Sequence, residues 1–102
     1  MKLIITEDKL YKTFSKFMDK YFDLTYHIIR GTIMGIKMTE YEFIDKDGGI
    51  FGKAFENGSF VCSNNKHLMI KSFFGNKTEE LLLQYLNDKF GDFVRIRIRR
   101  IS

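Results

Sequence analysis

The sequence predicts an α+β fold, in which an antiparallel or mixed sheet of about five to six strands packs two helices on one face. Two segments, about 7–23 and 79–90, have apolar side chains at helical spacing. Between them, residues 25–74 form strand-like runs separated by turn motifs, and strands joined by tight turns pair antiparallel. The 102 residues amount to about one domain, so we expect a single compact unit over 1–102.

Both helices are predicted from a buried stripe and from the residues that begin them. Thr6 and Thr78 each precede two acidic residues, and such a hydroxyl can accept a hydrogen bond from the free N–H groups of a first turn. Gly91 is a typical residue at the end of the second helix. The two stripes comprise Leu10, Phe14, Phe17 and Tyr21, and Leu82, Tyr85, Leu86 and Phe90.

The strands are predicted from β-branched and aromatic residues between turns. Asp45–Gly49 and Asn57-Gly58 carry the Asp, Asn and Gly residues that tight turns require, and a third turn is expected at Asn64–Lys66. A two-residue turn at Asn57-Gly58 would place Phe60 opposite Phe55. The expected strands are Tyr26–Arg30, Ile33–Met38, Thr39–Ile44, Ile50–Glu56, Ser59–Cys62, His67–Phe74 and Phe93–Ile101.

The net charge of +4 has a local origin. Residues 1–94 hold 13 basic and 13 acidic side chains, so the whole excess lies at the C-terminal end. On a strand, Arg95, Arg97 and Arg99 would form a straight row on one face, with Arg100 beside it. These four arginines are the candidate binding residues.

The arginine row has several interpretations. Guanidinium groups without an acid between them suit a nucleic-acid backbone or an acidic protein surface. A terminal strand is also often an edge strand, where solvated charge prevents aggregation. A further alternative pairs the row with Glu40 and Glu42, which share a strand face. Exposed aromatic side chains would favour nucleic acid by stacking on bases, and Tyr26, Tyr41 and Phe51 are the candidates.

The residues indicate no catalytic, cofactor or metal site. Cys62 is the single cysteine, so no internal disulfide is expected, and His27 and His67 have no metal-ligand spacing. Cys62 and His67 would meet across the predicted Asn64–Lys66 turn, but a lone strand cysteine is usually a core residue. No run approaches the about 20 apolar residues of a membrane span, so we expect no membrane contact and a cytoplasmic location.

Several motifs resemble small proteins of tailed phages of aquatic bacteria. They include the opening Met1–Glu7, Asp45–Gly48 before a Gly-rich hairpin, and Phe73–Gly75 before the final helix, which ends at Leu86–Gly91. These motifs are helix starts, turns and core positions, and the group has no assigned activity. The resemblance implies a phage accessory or virion protein in a host cell, and no mechanism.

We therefore expect a non-catalytic, phage-type binding module that acts through protein–protein contacts, with a host factor or as a small virion component. Its partner would be another protein or a second copy, paired as a homodimer through an edge strand. The alternative is a nucleic-acid-binding protein that uses the face of Arg95, Arg97 and Arg99. No cofactor is expected.

Overall fold

A computed structural model describes residues 7–91 and 98–101, apart from the side chains of Glu7 and Ile33. Three α-helices and five strands occupy these ranges, with a 3-10 turn at Gly75–Lys77. The helices are α1 (Glu7–Tyr21), α2 (Asn64–Phe74) and α3 (Thr78–Phe90). The strands are β1 (Thr25–Ile33), β2 (Ile36–Ile44), β3 (Ile50–Phe55), β4 (Ser59–Cys62) and β5 (Arg100–Ile101).

The five strands form one mixed sheet, in the order β1-β2-β3-β4-β5. Successive strands from β1 to β4 pair antiparallel, while β5 pairs parallel with β4. The α+β class and the mixed sheet are therefore confirmed. Both predicted helices are present as α1 and α3, because each places an apolar stripe on the same core.

The predicted strand at His67–Phe74 is wrong, because these residues belong to α2. Ile70 is fully buried, and Phe74 packs edge-on against Phe14 with 4.9 Å between ring centroids. The predicted turn at Asn64–Lys66 is the first turn of this helix. A short apolar run fits a strand or a helix equally well in sequence, and here packing against α1 selects the helix.

Two hairpins differ in detail from the prediction. The first turns at Met34-Gly35, inside the expected strand Ile33–Met38, and β1 runs through Gly31 without a break. In the second, the loop between Phe55 and Ser59 has three residues, so Phe60 lies opposite Ala54 instead of Phe55. The turn at Asp45–Gly49 is confirmed, since the Asp45 N–H donates to the Gly49 carbonyl at 2.9 Å.

The core lies between the helices and one face of the sheet, and it ends part-way along the first hairpin. Tyr26 of β1 packs edge-on against Phe90 of α3 at 5.5 Å, and Tyr41 beside it is buried. Beyond these residues, β1 and β2 run on without a helix over them. The molecule consequently measures 61 Å along its longest axis and 25 and 22 Å along the others.

Candidate functional site

The outer half of the β1–β2 hairpin, residues 28–39, is called here the arm, and most of its side chains are exposed. β1 contributes six of these residues, which span about 20 Å, and β2 contributes four beyond the two turn residues. Apolar side chains remain open to solvent along it: Ile28, Met34, Ile36 and Met38 are 42, 95, 67 and 36% exposed. A cluster of this kind is typical of an interaction surface.

The arm is held in shape by its local sequence. β1 is rich in β-branched Thr and Ile, which favour extended backbone. At the tip, Met34 and Gly35 have φ of 52° and 80°. Two successive positive φ values define the type I′ turn, whose twist matches that of paired strands. Nine consecutive cross-strand pairs then run from Ile33–Ile36 to Thr25–Ile44.

The two faces of the arm differ in chemistry. Directly opposed residues share a face, so the register places Arg30 and Thr39 on one side, together with Thr32 and Lys37. The other side carries Ile29, Gly31, Ile36 and Met38. Residues 25–39 contain no Asp or Glu. One face of the arm therefore carries its two cations, Arg30 and Lys37, together with Ile28, and the other face is uncharged and apolar.

The arm also presents a strand edge. β1 is the first strand of the sheet, and within the described ranges it has a neighbour, β2, on one side only. Its outer N–H and C=O groups can thus pair with an added strand. In the sequence, this surface corresponds to a segment of apolar residues around Met34-Gly35 that contains no acidic residue. The expected strands Tyr26–Arg30 and Ile33–Met38 miss it, because they interrupt the first strand of this hairpin at Gly31-Thr32.

The structure describes only part of the arginine row. Arg95 and Arg97 lie outside the described residues. Arg99 precedes β5, and Arg100 begins it; both side chains are exposed. Their backbone N–H groups donate to the Gly58 carbonyl at 2.7 and 3.3 Å, which ties this segment to the β3–β4 loop.

Pairing of the arginines with Glu40 and Glu42 does not occur for the described members, because β3 and β4 separate β2 from β5. Glu42 instead accepts from His27 Nε2 at 3.0 Å and lies 3.6 Å from Lys53 Nζ. These contacts run across β1, β2 and β3 on the sheet face that carries the apolar side of the arm.

The aromatic residues expected at the surface are mostly internal. Tyr41 and Phe51 are buried, and Tyr26 is half-buried. Among the described residues, the exposed aromatic side chains are instead Tyr21 and Phe73, which both pack on Phe17. They mark the junction of α1 and α2, away from the arginine segment in sequence.

A pocket of about 520 Å³ lies between α1 and α3. There the Tyr85 hydroxyl donates to Asp19 Oδ1 at 2.5 Å, and Lys89 Nζ lies 3.2 Å from the same oxygen. Burial, and then the bond to Asp19, raises the pKa of Tyr85. Partial burial opposes ionisation of Asp19, but its bonds from Tyr85 and Lys89 outweigh this and lower its pKa. Both pKa values move away from neutral pH, so neither side chain of this pair is suited to acid–base catalysis near neutral pH.

Cys62 and His67 do not form a nucleophilic pair. Burial raises the pKa of the Cys62 thiol to about 12, and the charge of Lys66 offsets this only in part. His67 Nε2 is buried and has no hydrogen-bond partner. No group of three His, Cys, Asp or Glu side chains within residues 7–91 and 98–101 could hold a metal ion.

Comparison with known proteins returned no matching family model, curated protein or solved structure. The resemblance to phage proteins therefore stays a prediction. In the described part of the chain, no helix is long and apolar enough to cross a bilayer. The exposed apolar side chains and the open strand edge of the arm make it the candidate interaction surface.

Proposed function

We propose that this protein is a non-catalytic binding module that acts through protein–protein contacts made by the arm. The observation that carries the proposal is the exposure of Met34 and Ile36, 95 and 67%, at the end of a hairpin with an open strand edge. Apolar side chains at such a position add nothing to the core, whereas another protein could bury them and pair with β1. A phage accessory or virion setting fits this role and belongs to the same proposal.

Photo-cross-linking of the full chain in its native cells tests the proposal. A photoreactive residue replaces Ile36 on the arm or, as the matched control, Val61, which is 46% exposed on β4. We expect protein adducts from position 36, including adducts with a second copy, and few from position 61. The absence of adducts at position 36, or equal yields at both positions, would contradict it.

The variant Met34→Asn sharpens this test. It removes the apolar tip but creates Asn-Gly, the preferred dipeptide of a type I′ turn. The hairpin should therefore remain folded while adduct formation from position 36 falls. An unchanged adduct yield would show that the apolar tip is not the contact.

Nucleic-acid binding by the C-terminal arginines is a second candidate. The side chains of Arg99 and Arg100 are exposed, and neither forms an ion pair with the described residues. Three arginine–phosphate contacts, by Arg95, Arg97 and Arg99, would give log K a slope of about −2.7 against log salt. Titration of a labelled DNA duplex with the protein and its triple Arg→Gln variant measures this. Equal affinity of the two, or binding insensitive to salt, argues against it.

A further inference from the structure

The outer edge of β1 has a defined set of free backbone groups. The two-residue turn closes on the Ile33–Ile36 pair, so odd-numbered residues of β1 exchange hydrogen bonds with β2. The N–H and C=O groups of the even-numbered residues therefore point away from the sheet. These residues are Tyr26, Ile28, Arg30 and Thr32.

We infer that two copies of the chain pair through this edge, antiparallel, about a two-fold axis at Ile29. The inference rests on the proposed function and names its partner as a second copy. A two-fold axis perpendicular to a sheet pairs residues whose numbers have a constant sum, here 58. Ile28 then lies opposite Arg30 of the second copy, and Tyr26 opposite Thr32. The outward groups on both edges thus meet in the hydrogen-bonded positions of one ten-stranded sheet.

The register has a consequence at each tip. It ends where Ile33 lies opposite Thr25 of the second copy, so Met34, the first turn residue, lies close to Leu24 of that copy. Leu24 lies in an open, largely apolar pocket of about 400 Å³, whose other lining residues are Thr25, Tyr26, Lys89 and Phe90. A methionine side chain fits a pocket of this size, and its sulfur can contact the Tyr26 or Phe90 ring. The most exposed apolar side chain of each copy would thereby be buried by the other.

Gly31 supports the same register. It lies mid-strand with a negative or extended φ, and a Cβ atom there would meet nothing within 4 Å. Packing within one copy therefore does not require a glycine. A strand glycine often marks a position where another chain approaches closely. In the proposed pairing, His27 of the second copy lies opposite Gly31, and an aromatic ring that covers a cross-strand glycine stabilises a sheet.

The charges are compatible with the pairing. The charged side chains of the arm are Arg30 and Lys37, both cationic. Asp23, just before the pocket residues, is exposed, and in this pairing it lies at the end of β1 that faces the tip of the second copy's arm. The tip that carries cations therefore approaches a carboxylate. Each Arg30 faces an isoleucine, which keeps the two guanidinium groups from facing each other directly.

Purified full-length protein tests the inference through its mass and through cross-linking. Sedimentation at increasing concentration should show twice the 12.1 kDa monomer mass. Met34→Asn should weaken the dimer about 100-fold, because each dimer loses two buried methionine contacts. A chain that stays monomeric at high-micromolar concentration overturns the inference.

Cysteine cross-linking tests the register itself in a Cys62→Ser background. Ile29→Cys should form an intermolecular disulfide on mild oxidation, because facing residues at a non-hydrogen-bonded position lie about 4.5 Å apart, within disulfide range. Ile36→Cys, on the same face of the arm but on β2, is the control and should cross-link far more slowly. Equal rates would refute the two-fold at Ile29. Adducts at position 36 with other proteins, from a monomeric chain, would retain the proposed function and refute only the dimer.

Discussion

The hydroxyl of Tyr85 donates a hydrogen bond of 2.5 Å to the carboxylate of Asp19, which joins α3 to α1 across 66 residues of sequence. Tyr85 is 2% exposed, and its ring packs edge-on against Phe14 with 6.1 Å between centroids. Lys89 Nζ contacts the same hydroxyl at 3.1 Å. The hydroxyl of the buried Tyr85 therefore has hydrogen-bond partners at the edge of the core.

Tyr85→Phe should destabilise the protein by about 1.5 kcal/mol, since a hydrogen bond to a charged group is lost while the ring stays packed. Urea unfolding followed by circular dichroism measures the difference. The exposed Tyr21→Phe is the matched control and should change the unfolding free energy by less than about 0.5 kcal/mol. Equal effects of the two changes would show that the Asp19 bond contributes nothing.

The Asp45 carboxylate predicts a pH dependence of stability. It accepts hydrogen bonds from the N–H groups of Asp47 and Gly49, each at 3.0 Å, and from the Lys66 ammonium of α2. The bond from Lys66, followed by those from the two backbone N–H groups, outweighs burial and lowers the pKa of Asp45. A lowered folded pKa stabilises the protein above the unfolded value of about 3.9, and this contribution is lost as the pH falls through the folded pKa.

Asp45→Asn should therefore cost about 3 kcal/mol at neutral pH, because it leaves the Lys66 charge without its partner. The difference from the natural chain should begin to shrink below about pH 4, where the carboxyl of the unfolded chain becomes protonated, and should be lost as the pH falls through the lower pKa of the folded state. Urea unfolding over this pH range measures it, with the exposed Asp47→Asn as control. A difference that does not vary with pH would contradict the assignment.

Substitution by alanine should destabilise the protein at Gly52 and have almost no effect at Gly31. A Cβ atom on Gly52 would lie 2.6 Å from the Val61 carbonyl oxygen and 2.5 Å from the Phe60 ring, whereas one on Gly31 would meet nothing within 4 Å. Gly52→Ala should cost about 1–3 kcal/mol through overpacking. Gly31→Ala should change the unfolding free energy of the monomer by less than about 0.5 kcal/mol. Thermal or urea unfolding compares them, and equal effects would contradict this account of β3–β4 packing.

Cys62 should be an unreactive thiol. With its pKa raised to about 12 by burial, its thiolate fraction is small at about pH 8, and the thiolate is the reactive form. Alkylation by iodoacetamide should be at least about 100-fold slower than that of an exposed cysteine. Ile36→Cys in the Cys62→Ser background supplies that comparison in the same fold. Equal rates would show that the thiol is accessible and ionised.

Local sequence determined α1, α3 and two of the turns. The helical spacing of Leu10, Phe14 and Phe17 suits one face packed on the core, and this pattern needs no knowledge of what covers it. The Asp45–Gly49 turn follows from side-chain bonds over four residues. These features are short-range in their causes, so the residues themselves specify them.

Tertiary structure decided the rest, because those choices depend on which surfaces meet. The segment Asn64–Phe74 is helical since Ile70 and Phe74 find a core already built by α1. The arm is exposed because α3 covers the first hairpin only as far as the contact of Phe90 with Tyr26. The edge of the arm is open because β1 is the first strand of the sheet. Met34 has the same side chain in any fold, and its position beyond the part of the hairpin that α3 covers leaves it 95% exposed.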